Sequence, residues 1–429
     1  MNIIFLLIVL LAFGFAGWHQ LFWIPVEGQT APIEAVSKAM VESSAGAVEL
    51  AIGLVGVMTL FLGLVKIAEA GGMLTILARL IRPLMIRLFP EVPPDHPAMG
   101  AMILNMSANA LGLGNAATPF GIRAMQELDK LNPQPGTATD AMALFLAINT
   151  SSVTLLPTGV IALRAAAGSL DPAGILPTTL FATMGSTVAA IAAAVFYRRF
   201  FPLKTSRKAA ANYTAEPAAG KAEGNEVPPT GYPLWVSLVA LGAVAALIPL
   251  AIFFGRTISP WILPALMVFF LVFGFIRRVR VYEVFVEGAK EGFQVAIRII
   301  PYLVAILVAV GMFRASGGLG VVVNWIGGWT AKVGLPAEAL PMAIMRPLSG
   351  SGAYGILASI INDPAIGPDS YTGYLVSTLQ GSTETTFYVM AVYFGAVQVR
   401  RIRHTLAAAL TADLFGLICA ILACKFLFG

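Results

Sequence analysis

Charged residues are scarce in this chain. Asp, Glu, Lys and Arg make up 11% of its 429 residues, against ~25% in soluble proteins. Hydrophobic residues reach 58% and the mean hydropathy is +0.83, which excludes a soluble globular domain. Cysteine and histidine are scarcer still. Cys419 and Cys424 both lie in the last apolar run, and His19, His96 and His404 are far apart, so neither a disulfide framework nor a Cys/His metal cluster is available. Also missing are the GxxxxGK[ST] phosphate loop, HExxH and the GxSxG elbow. ATP-driven pumping by this chain alone and standard hydrolase chemistry therefore lack their residues, and no enzyme, cofactor or catalytic residue is expected. Gly350-Ser351-Gly352 is a lone glycine-rich turn, suited to close packing or a bend.

What is present is a series of apolar stretches of about twenty residues, long enough to cross a roughly 30 Å hydrocarbon core. They run through 2–23, 46–68, 139–164, 173–197, 233–254, 258–276, 293–313, 371–398 and 404–426. The expectation is an all-α polytopic membrane protein with nine transmembrane helices. The first stretch ends in Trp18 and Trp23. It reads as an uncleaved anchor rather than a signal peptide, because no Lys or Arg precedes it and no small-x-small site follows. Segments 95–122, rich in Gly, Ala and Asn, and 339–362, rich in Ser, Gly and Pro, are too polar for ordinary spans. Both are expected to be re-entrant hairpins.

Lys and Arg accumulate on cytoplasmic loops. With the N-terminus inside and the C-terminus outside, segments 66–138, 198–230, 277–292 and 399–404 carry nineteen of them, the outer segments carry seven, and Arg298 falls within a span. The net charge of +5 thus marks orientation in a bacterial cytoplasmic (inner) membrane, and no nucleic-acid partner is expected. Residues 199–230, rich in Ala, Pro, Gly and charge, cannot bury a core and read as a cytoplasmic linker between domains 1–198 and 231–429.

The two domains resemble each other. Gly71-Gly72 and a stretch closing at Pro90 match Gly317-Gly318 and a stretch closing at Pro336 at identical spacing. NMSANALGLGN at 105–115 lies against RPLSGSGAYGI at 346–356. AINTSSVTLLP at 147–157 lies against STLQGSTETTF at 377–387, so that Asn149, Ser151, Ser152 and Thr154 match Gln380, Ser382, Thr383 and Thr385. Five crossings separate the hairpins. An odd number inverts the second copy, giving two inverted-topology repeats with discontinuous helices of the kind that builds midplane substrate sites in secondary transporters.

Pro157 in one copy and Gly381 in the other give each polar centre a reason to unwind. Taken singly, a Ser or Thr there reads as bonding back to its own helix; the clusters read as a site. Candidate substrate ligands are Asn149, Thr150, Ser151 and Ser152 on one break and Gln380, Ser382, Thr383, Glu384 and Thr385 on the other. Asn105, Ser107, Asn109, Asn115 and Thr118 on the first hairpin, with Ser349 and Ser351 on the second, would line the opposing wall. Amides and hydroxyls both donate and accept, which suits a polar organic solute better than a metal ion. Glu384, midway along its span, is either a solute contact, a proton-coupling group or a structural partner of an arginine such as Arg346. Asp413 and Arg298 are the other intramembrane candidates, with Asp413 considered for ion coupling. Lys66, Glu69 and Glu49 lie near span ends, where snorkelling explains them. Trp325 and Trp329, four apart, read as an interfacial helix.

The residues at 105–125 and 147–164 resemble the spore maturation protein A family, and GSTETTFYVMAVYFGAV at 381–397 resembles the spore maturation protein B family. The chain looks like a fusion of the two across 199–230. Both are placed in a nucleoside-recognition, or gate-domain, superfamily that also includes parts of concentrative nucleoside transporters and of the ferrous-iron transporter B membrane domain, whose GTPase domain is absent here. The resemblance implies a transporter-like core without naming a substrate. The reading is a secondary transporter of a small polar organic solute, nucleoside-like or carboxylated, with proton or sodium as coupling ion. A non-transporting assembly factor, a lipid-precursor flippase and a metal-ion permease are the alternatives. The superfamily, together with the apolar surface of spans outside the repeats, points to a homodimer.

Overall fold

The computed structural model describes residues 2–25, 30–112, 114–203 and 231–429. Residues 204–230 of the expected linker and the side chains of Asn115 and Arg298 lie outside the described residues. The chain is an all-helical membrane protein. In order, its helices are α1 (Asn2–Leu21), α2 (Pro32–Ala70), α3 (Met73–Leu88), α4 (Pro97–Ala110), α5 (Gly114–Lys130), α6 (Asp140–Thr150), α7 (Thr158–Ala166) and α8 (Leu176–Tyr197). After the linker come α9 (Leu234–Ile276), α10 (Val281–Ala315), α11 (Gly318–Thr330), α12 (Leu340–Met345), α13 (Gly350–Ile361), α14 (Tyr371–Ser382), α15 (Thr386–Ala396) and α16 (Thr405–Phe428).

The frame is a pair of long helices, α2 and α10, that run antiparallel. Gly311 lies against Ala39 and Ser43, Gly292 against Met58, and Gly288 against Leu62 and Lys66. Position numbers fall along one helix as they rise along the other. Gly288 and Gly292 sit four apart on one face of α10, the small-residue spacing that lets helix backbones touch. A Cβ at Gly292 would stand 2.7 Å from the Met58 carbonyl oxygen. Both helices outrun the spans expected at 46–68 and 293–313. Residues 281–292, read from sequence as loop, are helical, with Glu283 in the first turn, where an acidic side chain favours the helix N-terminus.

Each long helix ends in a sharp corner. The chain turns by 68° between the α2 end and α3 through Gly72 at φ 84°, and the corner between α10 and α11 uses Gly317 at φ 80°. The left-handed positions therefore pair Gly72 with Gly317, one residue away from the match of Gly71-Gly72 with Gly317-Gly318 expected from sequence. What the two corners share is the backbone conformation, which only glycine adopts freely. On α11, Trp325 and Trp329 are 80% and 77% exposed, as an interfacial helix requires.

Because α2 and α10 are antiparallel, their corners lie at opposite ends of the bundle. The α3 end also holds both ends of α9: Ser237 Oγ donates to Leu80 O at 2.5 Å, and Arg277 Nε donates to Gly71 O at 2.7 Å. A straight helix of 43 residues would separate those ends by about 64 Å. Leu80 and Gly71 are joined by a stretch of chain that spans about 30 Å even when fully extended. The α9 run therefore doubles back on itself between Ser237 and Arg277. The first hairpin, α4–α5, follows α3 from this end. The second, α12–α13, emerges at the opposite end, where Arg314 pairs with Asp363 at 3.0 Å.

Helices α8 and α16 are each long and apolar enough to cross a membrane, whereas α6, α13 and parts of α9 and α10 are shorter apolar pieces. The stretch 139–164, read as one span, is two helices, α6 and α7, and 371–398 is likewise α14 and α15. Two large apolar clusters hold the bundle. One joins Ala47, Val160, Leu303, Leu357 and Leu375; the other joins Met99, Phe145, Ala190, Met390 and Ala408. Each draws residues from both sides of the linker, so the halves share their cores.

Polar clasps at the two ends join the halves as well. At the α3 end, Ala138 N donates to Arg401 O at 2.9 Å, and Arg403 meets Asp140 at 2.7 Å. At the far end the Arg164 side chain is fully buried. Its guanidinium donates to Pro368 O (2.6 Å), Ser377 Oγ (3.2 Å), Asp369 Oδ1 (2.9 Å), Ser169 Oγ (3.1 Å) and Asp171 O (3.1 Å), and lies 4.3 Å from the Tyr374 ring centre.

Two substitutions test this architecture by thermal unfolding of the purified protein. Gly292→Leu forces α2 and α10 apart and is expected to cost about 1–3 kcal/mol; an unchanged Tm would mean the helices do not touch there. Arg164→Met removes the buried guanidinium that bridges the halves, while Asp369 keeps its bonds from Ser169 Oγ and Leu170 N, and is expected to cost about 3–5 kcal/mol; an unchanged Tm would mean the clasp does not hold the halves together.

Candidate functional site

Both polar centres are interrupted helices. The first break spans residues 151–157, between α6 and α7, and the second spans 383–385, between α14 and α15. Locally the cause is plain. Pro157 has no N–H to give and disfavours helix in Leu156 before it. The hydroxyls of Thr150 and Ser151 both donate to Ala147 O at 2.9 Å, competing with the helical pattern.

The freed backbone groups are taken up by other elements. Glu384 N, in the second break, donates to Thr150 O at the end of α6, at 2.7 Å. Leu155 N donates to Ala110 O in the first hairpin at 3.0 Å, and Phe387 N donates to Pro347 O in the second at 3.1 Å. The Thr187 hydroxyl caps Ser151 O. Each hairpin is thus stitched to the break of its own half, and the two breaks are stitched to each other.

A buried amide network backs this junction. Asn109 Nδ2 donates to Asn149 Oδ1 at 3.0 Å, and Asn149 Nδ2 donates to Phe145 O at 3.1 Å. The Tyr393 hydroxyl approaches Asn149 Oδ1 at 3.4 Å and accepts from Asn105 Nδ2 at 3.1 Å, while Asn105 Nδ2 also reaches Ala117 O at 2.7 Å.

Beside the junction lies a cavity of about 570 Å³, within the range of small-molecule sites, roughly 300–1,000 Å³. The first hairpin contributes Asn109 and Gly112; the first break and the start of α7 contribute Thr154, Leu156, Pro157, Thr158, Gly159 and Val160. The second hairpin contributes Arg346, Gly350 and Tyr354, the end of α14 contributes Gln380 and Gly381, and the second break contributes Glu384. Met58, Leu62, Val65, Lys66 and Glu69 of α2, with Glu291 of α10, close the remaining wall.

Of the residues selected from sequence, Asn109, Gln380 and Glu384 line this cavity. Asn105 and Asn149 stand one layer behind, holding Asn109 or one another through Tyr393. Ser107, Thr150, Ser151 and Ser382 donate to carbonyls of their own helices at 2.8–2.9 Å, the structural role weighed for single hydroxyls. Ser349 caps α13, accepting from Gly352 N at 3.1 Å, and Ser351 Oγ lies 3.4 Å from it. Thr385 Oγ1 accepts from Arg346 at 3.2 Å. Ser152 and Thr383 are buried and do not face the cavity. Asp413 lies behind the second break, with Oδ2 accepting from the Thr386 hydroxyl at 2.7 Å, and does not line the cavity.

Lys66 and Glu69, read from sequence as snorkelling groups, line the cavity instead. Lys66 Nζ lies 3.4 Å from Glu69 and 3.1 Å from Glu291 across the α2–α10 contact. Tyr354, Tyr393 and Glu291 were missed, because nothing local in the sequence distinguishes them. The Gly288–Gly292 spacing was the available signal for Glu291, since it marks the face of α10 that meets α2. Arg346 and Glu384 approach to 3.9 Å, too far for a hydrogen bond. The two charges attract while each keeps bonding capacity toward the cavity, in which the Glu384 side chain is 48% exposed.

A family model described as "Gate: Nucleoside recognition" matches residues 51–167 and 296–400, just over half of the chain. Spore maturation protein B of Bacillus subtilis (strain 168) is 44% identical over 167 residues, covering 39% of this chain and 93% of that protein. Spore maturation protein A of the same organism is 46% identical over 159 residues, covering 37% of this chain and 81% of that protein. The two correspond to separate halves. A solved structure of CNTnw in an inward-facing substrate-bound state aligns over 98% of this chain and 90% of that one, with a TM-score of 0.47 and 14% identity. The chain belongs to the Gate, or nucleoside recognition, family, with a counterpart of spore maturation protein B in one half and of spore maturation protein A in the other.

Proposed function

We propose that the chain is a secondary transporter of a small polar organic solute, working by alternating access, with the cavity beside the two helix breaks as its binding site. The observation that carries this reading is the cavity itself. Its walls come from both hairpins, both breaks and the long helix pair, so any shift of the hairpin and break elements against α2 and α10 changes its shape and outlet. Asn109, Gln380, Glu384 and Arg346 supply donors, acceptors and charge at one end, and apolar side chains cover the middle. Inversion of the halves gives the molecule two comparable arrangements, one open to each side, as alternating access requires. Glu384 and Asp413 are the proposed ion-coupling groups, with a proton or sodium ion as the driving species. The remaining candidate ligands act by holding the breaks in shape.

In the orientation proposed, the α3 end faces the cytoplasm of a bacterium and the α11 end faces outward. Single cysteines placed at Gln134 and Ala365, in a background lacking Cys419 and Cys424, report this directly. A membrane-impermeant thiol reagent added to intact cells is expected to label the second and spare the first; labelling of both from one side would rule out the inverted arrangement.

Binding and transport are tested by thermal shift against a solute panel and by uptake into proteoliposomes. A bound solute at one hundred times its Kd stabilises the folded state by about 2.7 kcal/mol. That stabilisation and the uptake are both expected to vanish in Glu384→Gln and Gln380→Ala variants that remain folded. Uptake that persists in both variants would move the site elsewhere. If no solute binds and proteoliposomes carry nothing, the transport reading fails.

A further inference from the structure

The charges lining the cavity are unevenly placed, and their placement describes a ligand. At its buried end Arg346 is 8% exposed and Gln380 3% exposed. Arg346 Nε and Gln380 Oε1 have no hydrogen-bond partner among the described residues. A buried donor and a buried acceptor left unpartnered are each costly unless something else fills them. Glu384 adds a carboxylate 3.9 Å from the guanidinium. One unpartnered guanidinium N–H, one unpartnered carbonyl and one carboxylate complement a head group that is itself both anion and cation. The carboxylate of an amino acid suits Arg346, whose planar guanidinium matches it, and its ammonium suits Glu384 and Gln380.

The lining also carries the triad of Lys66, Glu69 and Glu291, with side chains 25%, 25% and 52% exposed. One ammonium shared between two carboxylates leaves the triad one negative charge in excess. Apolar side chains complete much of the lining: Met58, Leu62, Val65, Leu156, Pro157 and Val160. Taken together the ionisable side chains of the lining are two cations and three carboxylates, a net charge of minus one that a solute of net charge plus one would balance.

We infer that the cavity takes a cationic amino-carboxylate: an amino-acid head at the Arg346–Gln380–Glu384 end, an apolar stem, and a second ammonium on the Lys66–Glu69–Glu291 wall. This rests on the cavity being the transport site and assigns the class of solute that it would carry. The stem lies along methionine, leucine and valine side chains, which favour methylene groups over hydroxyls. The second ammonium joins Lys66 as a second cation donor to carboxylates that Lys66 alone does not saturate. An uncharged solute would leave Arg346 Nε and the excess carboxylate without a counterpart.

The test uses the purified full-length chain in thermal-shift titrations with lysine, ornithine, leucine, cadaverine, glutamate and uridine. Lysine and ornithine are expected to stabilise it at concentrations at least tenfold below those needed for leucine, cadaverine or glutamate. Glu291→Gln, at a half-exposed position that folding tolerates, is expected to weaken lysine about tenfold and leucine less than twofold. Arg346→Lys is expected to weaken lysine and leucine alike and to leave cadaverine unchanged. If leucine, glutamate or uridine binds as well as or better than lysine, or if Glu291→Gln leaves lysine unaffected, the solute class is overturned while the cavity remains a binding site. If none of the six shifts the protein, the cationic amino-carboxylate is likewise excluded, and uptake assays with a wider panel decide the transport reading separately.

Discussion

A peptide group inside a bilayer has no water to bond, and every feature of this molecule's centre follows from that constraint. Two helices stop at Thr150 and Ser382, which leaves carbonyls and amides of buried backbone without helical partners. Glu384 N and Thr150 O, from opposite halves, resolve part of the problem by bonding to each other at 2.7 Å. The hairpins resolve more of it, Ala110 O receiving Leu155 N and Pro347 O receiving Phe387 N. The breaks are therefore fixed backbone joints. What they leave open is side-chain chemistry on one flank, and that flank is the cavity. Pre-formed polar geometry of this kind spares a ligand much of the ordering cost of binding.

The long helices set the second condition. Antiparallel packing of α2 against α10, through Gly288 and Gly292, puts the two corner turns and the two hairpin entrances at opposite ends. It also brings Lys66 of one helix to Glu291 of the other. The wall that faces the breaks is thus built from the same contact that sets the two corner turns at opposite ends. The apolar clusters and polar clasps tie the interrupted helices of both halves to one another, and one cluster also takes in Ala47 of α2 and Leu303 of α10.

Much of this was legible in the sequence because it is local. Pro157, the hydroxyl runs and the amide-rich segments each carry their own conformational preference, so the breaks and hairpins could be placed to within a few residues. The family resemblance rested on the same segments, which the Gate model spans. The site was less legible, because a polar residue's own chemistry does not say which way it faces. Ser107 and Ser382 bond to their own helices, while Lys66 and Glu69, which look like ordinary span-end charges, face inward. Their role depends on Glu291, more than two hundred residues away, and on a helix contact that periodicity alone does not pair. The one-residue offset of the corner glycines was hidden for a similar reason, since it is fixed by where the backbone goes.

The Arg164 clasp has a consequence for how the protein is made. Its partner Asp369 lies 205 residues further along the chain. At about 5–20 residues per second, a ribosome needs on the order of 10–40 s to deliver that carboxylate. For that interval the nascent chain holds a guanidinium destined for complete burial with Asp171, seven residues on, as its counter-charge. The arginine must wait at the aqueous rim, and the first half cannot settle into its final packing until most of the second has been inserted. Biosynthesis as one polypeptide keeps the waiting partner tethered, so the assembly step is a matter of time rather than of encounter.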